Sequence, residues 1–275
     1  MQLASRFALQ SPVLRSEHPL SDEQIRAVAP SIFAQAPHGS RSDRYSYIPT
    51  ATVLQELRGE GFQPFMVCQT RARHDDRRDY TKHMLRLRHA SQINGREANE
   101  IILLNSHDGT SSYQMLAGMF RFVCQNGLVC GDTFADVRVP HKGNVTDHVI
   151  EGAYEVLHGF EQVQDSRDAM RAITLDDGEA EVFARSALIL KYDEPGKTLP
   201  ITESQILRPR RFDDNHADLW TTFNRVQENL VKGGLSGRSS NGRQQRTRPV
   251  QGIDQNVRLN RALWLLADGL RQLKA

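Results

Sequence analysis

Cysteine and long apolar runs are scarce in this 275-residue chain, and each shortage excludes a class of protein. The three cysteines, Cys68, Cys124 and Cys130, are too few for a disulfide-stabilised scaffold and predict a reducing, cytoplasmic location. No apolar run approaches the ~20 residues of a membrane-spanning helix, and no charged-then-apolar leader is visible, so no membrane partner is expected. The net charge is only +2, and it therefore identifies no partner.

Lysine is also scarce, because 29 of the 35 basic residues are arginine and 6 are lysine. The planar guanidinium fork suits phosphate oxygens and base edges, although a GC-rich genome produces the same bias. The positions of the arginines along the chain must therefore indicate whether they bind an anion.

The short motifs of several enzyme classes are missing as well. The chain has no Gly-x-Ser-x-Gly elbow, no phosphate-binding Gly-x4-Gly-Lys-Ser/Thr loop and no Gly-x-Gly-x-x-Gly after a strand. An enzyme is possible in principle but is not indicated, so no catalytic residue, no cofactor and no metal site are predicted.

Hydrophobic periodicity predicts an α+β fold, with an antiparallel β-sheet and packed helices followed by a helical C-terminal half. Residues 1–45 carry four prolines and one short helical pattern, which predicts an N-terminal arm. Residues 46–142 predict a core in the order helix, strand, strand, strand, helix, where the last helix runs from Tyr113 to Val123. Residues 143–275 predict mainly helices, together with a basic Gly/Ser/Arg loop at 232–252.

The predicted hairpin formed by the first two strands carries one charged face. Alternation places five cations on that face, Arg71, Arg73, Lys82, Arg86 and Arg88. Met66, Cys68 and Ala72 are expected on the other face with His83, Leu85 and Leu87, beneath the first helix. Adjacent like charges repel unless an anion covers them, so the face predicts a polyanion partner. The alternative is a solvated face whose counter-ions are Asp75, Asp76 and Asp79.

The segment 232–252 contains no acidic residue and five basic ones. Four of them, Arg238, Arg243, Arg246 and Arg248, are candidate contacts for a phosphate backbone, and a plain solvated linker is the alternative. Four aromatic residues are nearest to basic clusters and could stack on exposed bases, namely Tyr45, Tyr47, Tyr80 and Phe212.

The stretch "NSHDGTSS", residues 105–112, supports three interpretations. A tight turn followed by a helix N-cap would leave amides and hydroxyls for an anion, with His107, Ser111 and Ser112 as contacts. A metal site would use the ligand types present in His107, Asp108, Cys124, Cys130 and His141, but the Cys-x5-Cys spacing does not match structural zinc sites. The third interpretation is a local turn.

Three stretches, "YIPTATVLQELRGEGFQPFMVCQTRARHDDRRDYTKHMLRLRH", "LLNSHDGTSSYQMLAGMFRFVCQNGLVCGD" and "VPHKGN", resemble a phage/plasmid-like protein family of unknown function. The resemblance extends over nearly the whole chain and implies a role in prophages or conjugative plasmids, with no implied catalytic residue. The element order is also similar to that of the ring-forming single-strand annealing recombinases, which is an analogy of fold only.

These patterns together predict a nucleic-acid-binding protein of a mobile element, which binds or anneals single-stranded DNA in recombination or DNA maintenance without covalent chemistry. Two alternatives stay open. One is a metal-dependent nuclease or other hydrolase, and the other is a protein-binding inhibitor of a host defence system. Assembly into a homo-oligomer is also left open.

Overall fold

The structure, a computed structural model, describes residues 12–42, 45, 47–72, 75–89, 97–122, 126–130, 137–139, 145–192, 199–239 and 242–275. The chain divides into two compact units. The first contains residues 1–129 and 133–160, and the second contains residues 130–132 and 161–275. This division falls inside a long helix, whereas the sequence predicts a boundary at 142/143. Within the described ranges, no helix has the length and apolar character needed to cross a bilayer.

An antiparallel sheet forms the centre of the first unit. Its strands are β1 (Val13–Arg15), β2 (Phe62–Gln69), β3 (His83–His89), β4 (Glu97–Asn105), β5 (Tyr113–Arg121), β6 (Asn126–Val129) and β7 (Val137–Val139). β1 to β6 pair in chain order, and β7 pairs with β5. Because every pairing is antiparallel and helices accompany the sheet, the predicted α+β class is confirmed.

The N-terminal segment packs on this sheet over its described residues, 12–42. β1 pairs with β2, and α1 (Asp22–Val28) and a 3-10 helix (Pro30–Phe33) follow it. Ile25 and Ile32 are fully buried. The prediction of an arm is therefore wrong for these residues, because the prolines lie at or between short elements that still bury apolar side chains.

The first predicted helix is confirmed as α2 (Thr50–Gly59), which buries Val53, Leu54 and Leu57 along one face. The second predicted helix is wrong, because Tyr113–Arg121 forms strand β5 between β4 and β6. Its apolar residues satisfy a helical period and also a strand buried on both faces, since Met115, Leu116 and Ala117 are all buried. Pairing with β4 overrides the helical propensity of these residues.

The register of the hairpin differs from the prediction. Met66 lies opposite Arg86, and Cys68 lies opposite Met84, so Met66 and Cys68 share a face with the arginines and not with Leu85. Side chains alternate with a period of two, and an error of one residue in register therefore exchanges the faces. An irregularity between Pro64 and Met66 accompanies this register.

Helices dominate the second half of the chain, as predicted. They are α3 (Val145–Ala172), α4 (Asp177–Tyr192), α5 (Glu203–Leu207), α6 (Leu219–Lys232) and α7 (Ile253–Lys274), with a two-stranded ribbon of β8 (Ser236–Arg238) and β9 (Gln244–Arg246) between α6 and α7. Trp220 and Phe223 on α6 pack their rings against Trp264 on α7. This apolar contact joins the helices on either side of the ribbon.

Candidate nucleic-acid interface

Two of the five cations predicted on the hairpin face are buried. Arg86 is 5% exposed and Arg88 is 2% exposed. Both bind the carboxylate of Glu100 on β4, with Nε–oxygen distances of 2.6 Å for Arg86 and 2.8 Å for Arg88. The prediction that these two arginines form part of a solvent-exposed surface that binds a polyanion is therefore wrong.

Aromatic rings and glycines make room for the buried guanidinium groups. The Arg88 guanidinium lies 3.9 Å from the ring centroid of Phe120 and 4.4 Å from that of Phe65, distances typical of cation–π contacts. Arg86 donates to the Leu128 carbonyl. A Cβ on Gly127 would lie 1.9 Å from Arg86 Nη1, so a larger residue at this position would force the Arg86 side chain to move.

The other predicted hairpin cations do not complete a positive surface. Arg71 is exposed beyond the end of β2, Lys82 is partly buried, and Arg73 lies outside the described residues. The connection between β2 and β3 contains an exposed 3-10 helix (Asp75–Tyr80) with both acidic and basic side chains. The local charge at this end of the hairpin is thus mixed, in line with the solvated alternative.

The stretch "NSHDGTSS" forms the turn between β4 and β5. Asp108 Oδ1 accepts hydrogen bonds from the amide and hydroxyl of Thr110, at 3.0 and 2.6 Å. Ser106 Oγ accepts from the Ser111 amide at 2.9 Å. Gly109 has a φ of 75°, which favours glycine. Because a strand follows, the helix N-terminus needed for the predicted anion cradle is absent, and the local-turn interpretation fits the geometry.

His107 belongs to a buried polar cluster. His107 and His83 are fully buried, with ring centroids 5.2 Å apart. The Thr50 hydroxyl lies 2.9 Å from His83 Nε2 and 3.4 Å from His107 Nε2, and it accepts from Asn105 Nδ2 at 3.0 Å. Ser31 Oγ lies 2.8 Å from His83 Nδ1. These contacts give His107 a structural role and leave it inaccessible to a nucleic acid.

Acidification is expected to destabilise the first unit through His83. Burial is the main cause that holds the pKa of His83 well below its usual value of 6.5, and the neighbouring His107 lowers this pKa further. Below pH 6.5 the unfolded chain therefore binds a proton at this site and the folded chain does not. The free energy of unfolding is thus fully retained above pH 6.5, and it decreases as the pH is lowered from there by up to about 1.4 kcal/mol per pH unit. Urea unfolding of wild type and a His83→Asn variant between pH 8 and 5 should show a steeper acid-side loss in wild type. Equal slopes would contradict this origin.

No group of three or more metal-ligating side chains occurs within the part of the chain that the structure describes. Cys130 is buried, and the Asp108 carboxylate is engaged by Thr110. Cys124 and His141, the other candidates, lie outside the described residues. The described residues therefore offer nothing that favours the metal interpretation.

The basic segment of the second unit is an exposed hairpin. In the β8–β9 pairing, Arg238 lies opposite Gln244 and Ser236 lies opposite Arg246, so Arg238 and Arg246 project from the same face. Arg238, Arg243, Arg246 and Arg248 are all exposed. None of the four forms an ion pair with another described residue, and residues 229–253 contain no Asp or Glu. The fifth basic residue, Lys232, is instead bound to Glu228 at 2.7 Å.

The hairpin is anchored by its backbone. The Arg238 amide donates to the Pro200 carbonyl at 3.0 Å, and Gln205 Nε2 donates to the Ser236 carbonyl at 2.7 Å. A Cβ on Gly237 would lie 2.1 Å from the Pro200 oxygen. Gly237 therefore faces the 200–201 segment, and the opposite face, which carries Arg238 and Arg246, points away from it.

A half-buried lysine supports the base of the hairpin. Lys191 Nζ donates to the carbonyl of Leu230 near the end of α6, and it lies 3.5 Å from the carbonyl of Arg248. Burial lowers its pKa to about 8. A cation at a helix C-terminus stabilises the helix, so Lys191 ties the end of α6 to the segment that follows β9.

Two residues that define these surfaces were missed in the sequence. Glu100 lies inside the apolar run "NEIILLNS", and a carboxylate in a strand buried on both faces requires a cationic partner. That pattern could have revealed the burial of Arg86 and Arg88. Gly237 offered no such signal, because its close approach to Pro200 joins segments that are far apart in the sequence.

Comparison with known proteins agrees with the resemblance drawn from the sequence motifs. A family model described as Domain of unknown function (DUF932) matches residues 37–264. The UPF0380 protein YfjQ of Escherichia coli (strain K12) is 57% identical over 269 residues, which cover 98% of this chain and 97% of that protein. The UPF0380 protein YafZ of the same organism is 56% identical over the same shares. No solved structure matches the chain significantly, so the likeness to annealing recombinases stays a prediction.

Proposed function

Because the chain belongs to the DUF932 family, whose description names no activity, we propose a function from its own surfaces: it binds nucleic acid through the β8–β9 hairpin, without covalent chemistry. The proposed ligand is single-stranded DNA. The motif resemblance to proteins of prophages and conjugative plasmids supports this form, since replication and transfer of such elements expose single strands. A role in recombination or maintenance of mobile DNA is part of the proposal.

One observation carries the proposal, the exposed and acid-free arginine hairpin. Arg238 and Arg246 reach solvent from a ribbon that hydrogen bonds to its backbone hold in place, and Arg243 and Arg248 reach solvent immediately beside it. Guanidinium groups bind phosphate oxygens through paired N–H donors, and each phosphate neutralised releases counterions. A fixed ribbon loses less conformational entropy on binding than a flexible linker would.

Removing the hairpin charge should weaken binding to all sequences. In a variant with Arg238→Gln, Arg243→Gln and Arg246→Gln, the affinity for a thymidine oligonucleotide should fall at least about tenfold at low salt. The slope of log affinity against log salt concentration should flatten by about 0.7 for each lost contact, or about 2 in all. Fluorescence anisotropy across a salt series measures both quantities.

A matched control removes three exposed arginines elsewhere, with Arg77→Gln, Arg185→Gln and Arg258→Gln. Both variants lose the same net charge, but only the hairpin variant should flatten the salt slope by about 2. Equal losses in the two variants would contradict a hairpin site. A wild-type protein that shows no salt-dependent binding to any nucleic acid would overturn the proposed function itself.

A further inference from the structure

One aromatic side chain near the hairpin is almost fully exposed. Phe212 is 89% exposed, more than any other large apolar side chain in the described part of the chain. Tyr154, the next most exposed aromatic residue in that group, is 42% exposed and donates to Glu60. Single exposed apolar residues are common, so exposure alone assigns no role to Phe212 and its surroundings must be considered.

The turn that presents Phe212 is held from both sides. Arg211, its neighbour, binds Asp214 and also Glu228 on α6, the latter at 2.6 Å. Asp214 and Glu228 are 1% and 2% exposed. The 3-10 helix Phe212–Asp214 is therefore fixed to α6 by nearly buried carboxylates, and its aromatic ring is displayed on a rigid support.

The same segment runs beside the arginine hairpin. Arg210 donates through Nη2 to the carbonyl of Gly233, where the chain leaves α6 for β8, at 2.7 Å. Its Nε donates to Asn229 Oδ1, also at 2.7 Å. Earlier in the segment, Gln205 Nε2 donates to the Ser236 carbonyl, and the Pro200 carbonyl accepts from the Arg238 amide. The segment that ends at Phe212 therefore contacts the chain just before β8 and along β8, the strand that carries Arg238.

The charges beside the ring separate two kinds of contact. Asp213, adjacent to Phe212, is exposed and negative, so it repels a phosphate placed at the ring. A neutral nucleobase has an aromatic face that can stack on a phenyl group. The arginines suit the backbone of a strand, and the phenyl ring suits one of its bases.

We infer that Phe212 is a stacking platform for a nucleobase, and that it makes single-stranded nucleic acid the preferred ligand of this surface. The inference rests on the proposed function. In a duplex the bases are already stacked on one another, so the ring has no free base to contact. A strand with exposed bases contacts both the arginines and the ring.

The dependence of affinity on the presence of bases distinguishes stacking on Phe212 from binding by charge alone. Wild-type protein should bind a thymidine oligonucleotide about tenfold or more tightly than an abasic strand of the same length, because stacking on an aromatic side chain contributes that order of affinity. Phe212→Ala should bind the two strands alike and should keep the wild-type affinity for duplex DNA within about twofold. Leu273→Ala, which truncates another exposed apolar side chain (85% exposed), should behave like wild type.

A tryptophan substitution reports the contact directly. The native Trp220 and Trp264 are buried, at 1% and 3% exposure, so a Phe212→Trp variant adds an exposed indole with red-shifted emission. Thymidine oligonucleotide should quench that added emission, and the abasic strand should not. Unchanged base dependence in Phe212→Ala, together with unquenched emission in Phe212→Trp, would overturn the inference while hairpin-dependent binding stands. If wild-type protein shows no salt-dependent binding to any nucleic acid, the proposed function itself is overturned.

Discussion

Replacing Glu100 with glutamine should lower the free energy of unfolding by about 3–5 kcal/mol. The Glu100 side chain is fully buried and binds both Arg86 and Arg88. Removing one partner leaves buried guanidinium charges without compensation, and that cost exceeds the value of the ion pair itself. Chemical denaturation followed by circular dichroism measures the loss, which should accompany cooperative unfolding of the first unit.

Two further variants test this origin. Glu179→Gln removes a partly exposed pair with Lys274, at 2.6 Å, and should change stability far less than Glu100→Gln. A triple variant, Glu100→Leu with Arg86→Met and Arg88→Met, removes all three charges and should recover most of the lost stability. A Glu100→Gln protein as stable as wild type would show that another group neutralises the arginines.

The burial of Arg86 and Arg88 shows where alternation along a strand fails as a guide to charge. Alternation correctly grouped Met84, Arg86 and Arg88 on one face, but it could not show which side chains of the neighbouring strands lie beside them. The contacting residues, Glu100 on β4 and Phe120 on β5, come from other strands. Only the order of strands in the sheet brings them to the arginines, and this order is a tertiary property.

The incorrect prediction of a helix at β5 has a related cause. Its apolar residues fit both a helix and a doubly buried strand, and pairing with β4 and β6 decides between them. By contrast, α2 and the C-terminal helices could be predicted, because each has one apolar face and one polar face at helical spacing. The exposed arginines at 238–248 were also found from the sequence, since an acid-free segment needs no tertiary partner to remain solvated.

Substituting alanine for Gly237 should detach the hairpin without changing any charge. The added Cβ would lie 2.1 Å from the Pro200 carbonyl oxygen and 2.9 Å from Ile201 Cγ2. A backbone oxygen cannot move aside as a flexible side chain can, so the ribbon must leave the 200–201 segment, at a cost of about 1–3 kcal/mol. The hydrogen bond from the Arg238 amide to Pro200 is expected to break with it.

This substitution separates hairpin position from hairpin charge. Gly237→Ala should weaken thymidine-oligonucleotide binding several-fold and expose the ribbon to limited proteolysis, because a displaced ribbon loses its preorganisation. Gly269→Ala is the matched control, since that glycine lies within α7 with no atom within 4 Å of an added Cβ, and alanine there should stabilise the helix slightly. Wild-type affinity and wild-type protease resistance in Gly237→Ala would show that the arginines act as a flexible charged segment, whose binding depends on their number and not on the fixed geometry of the ribbon.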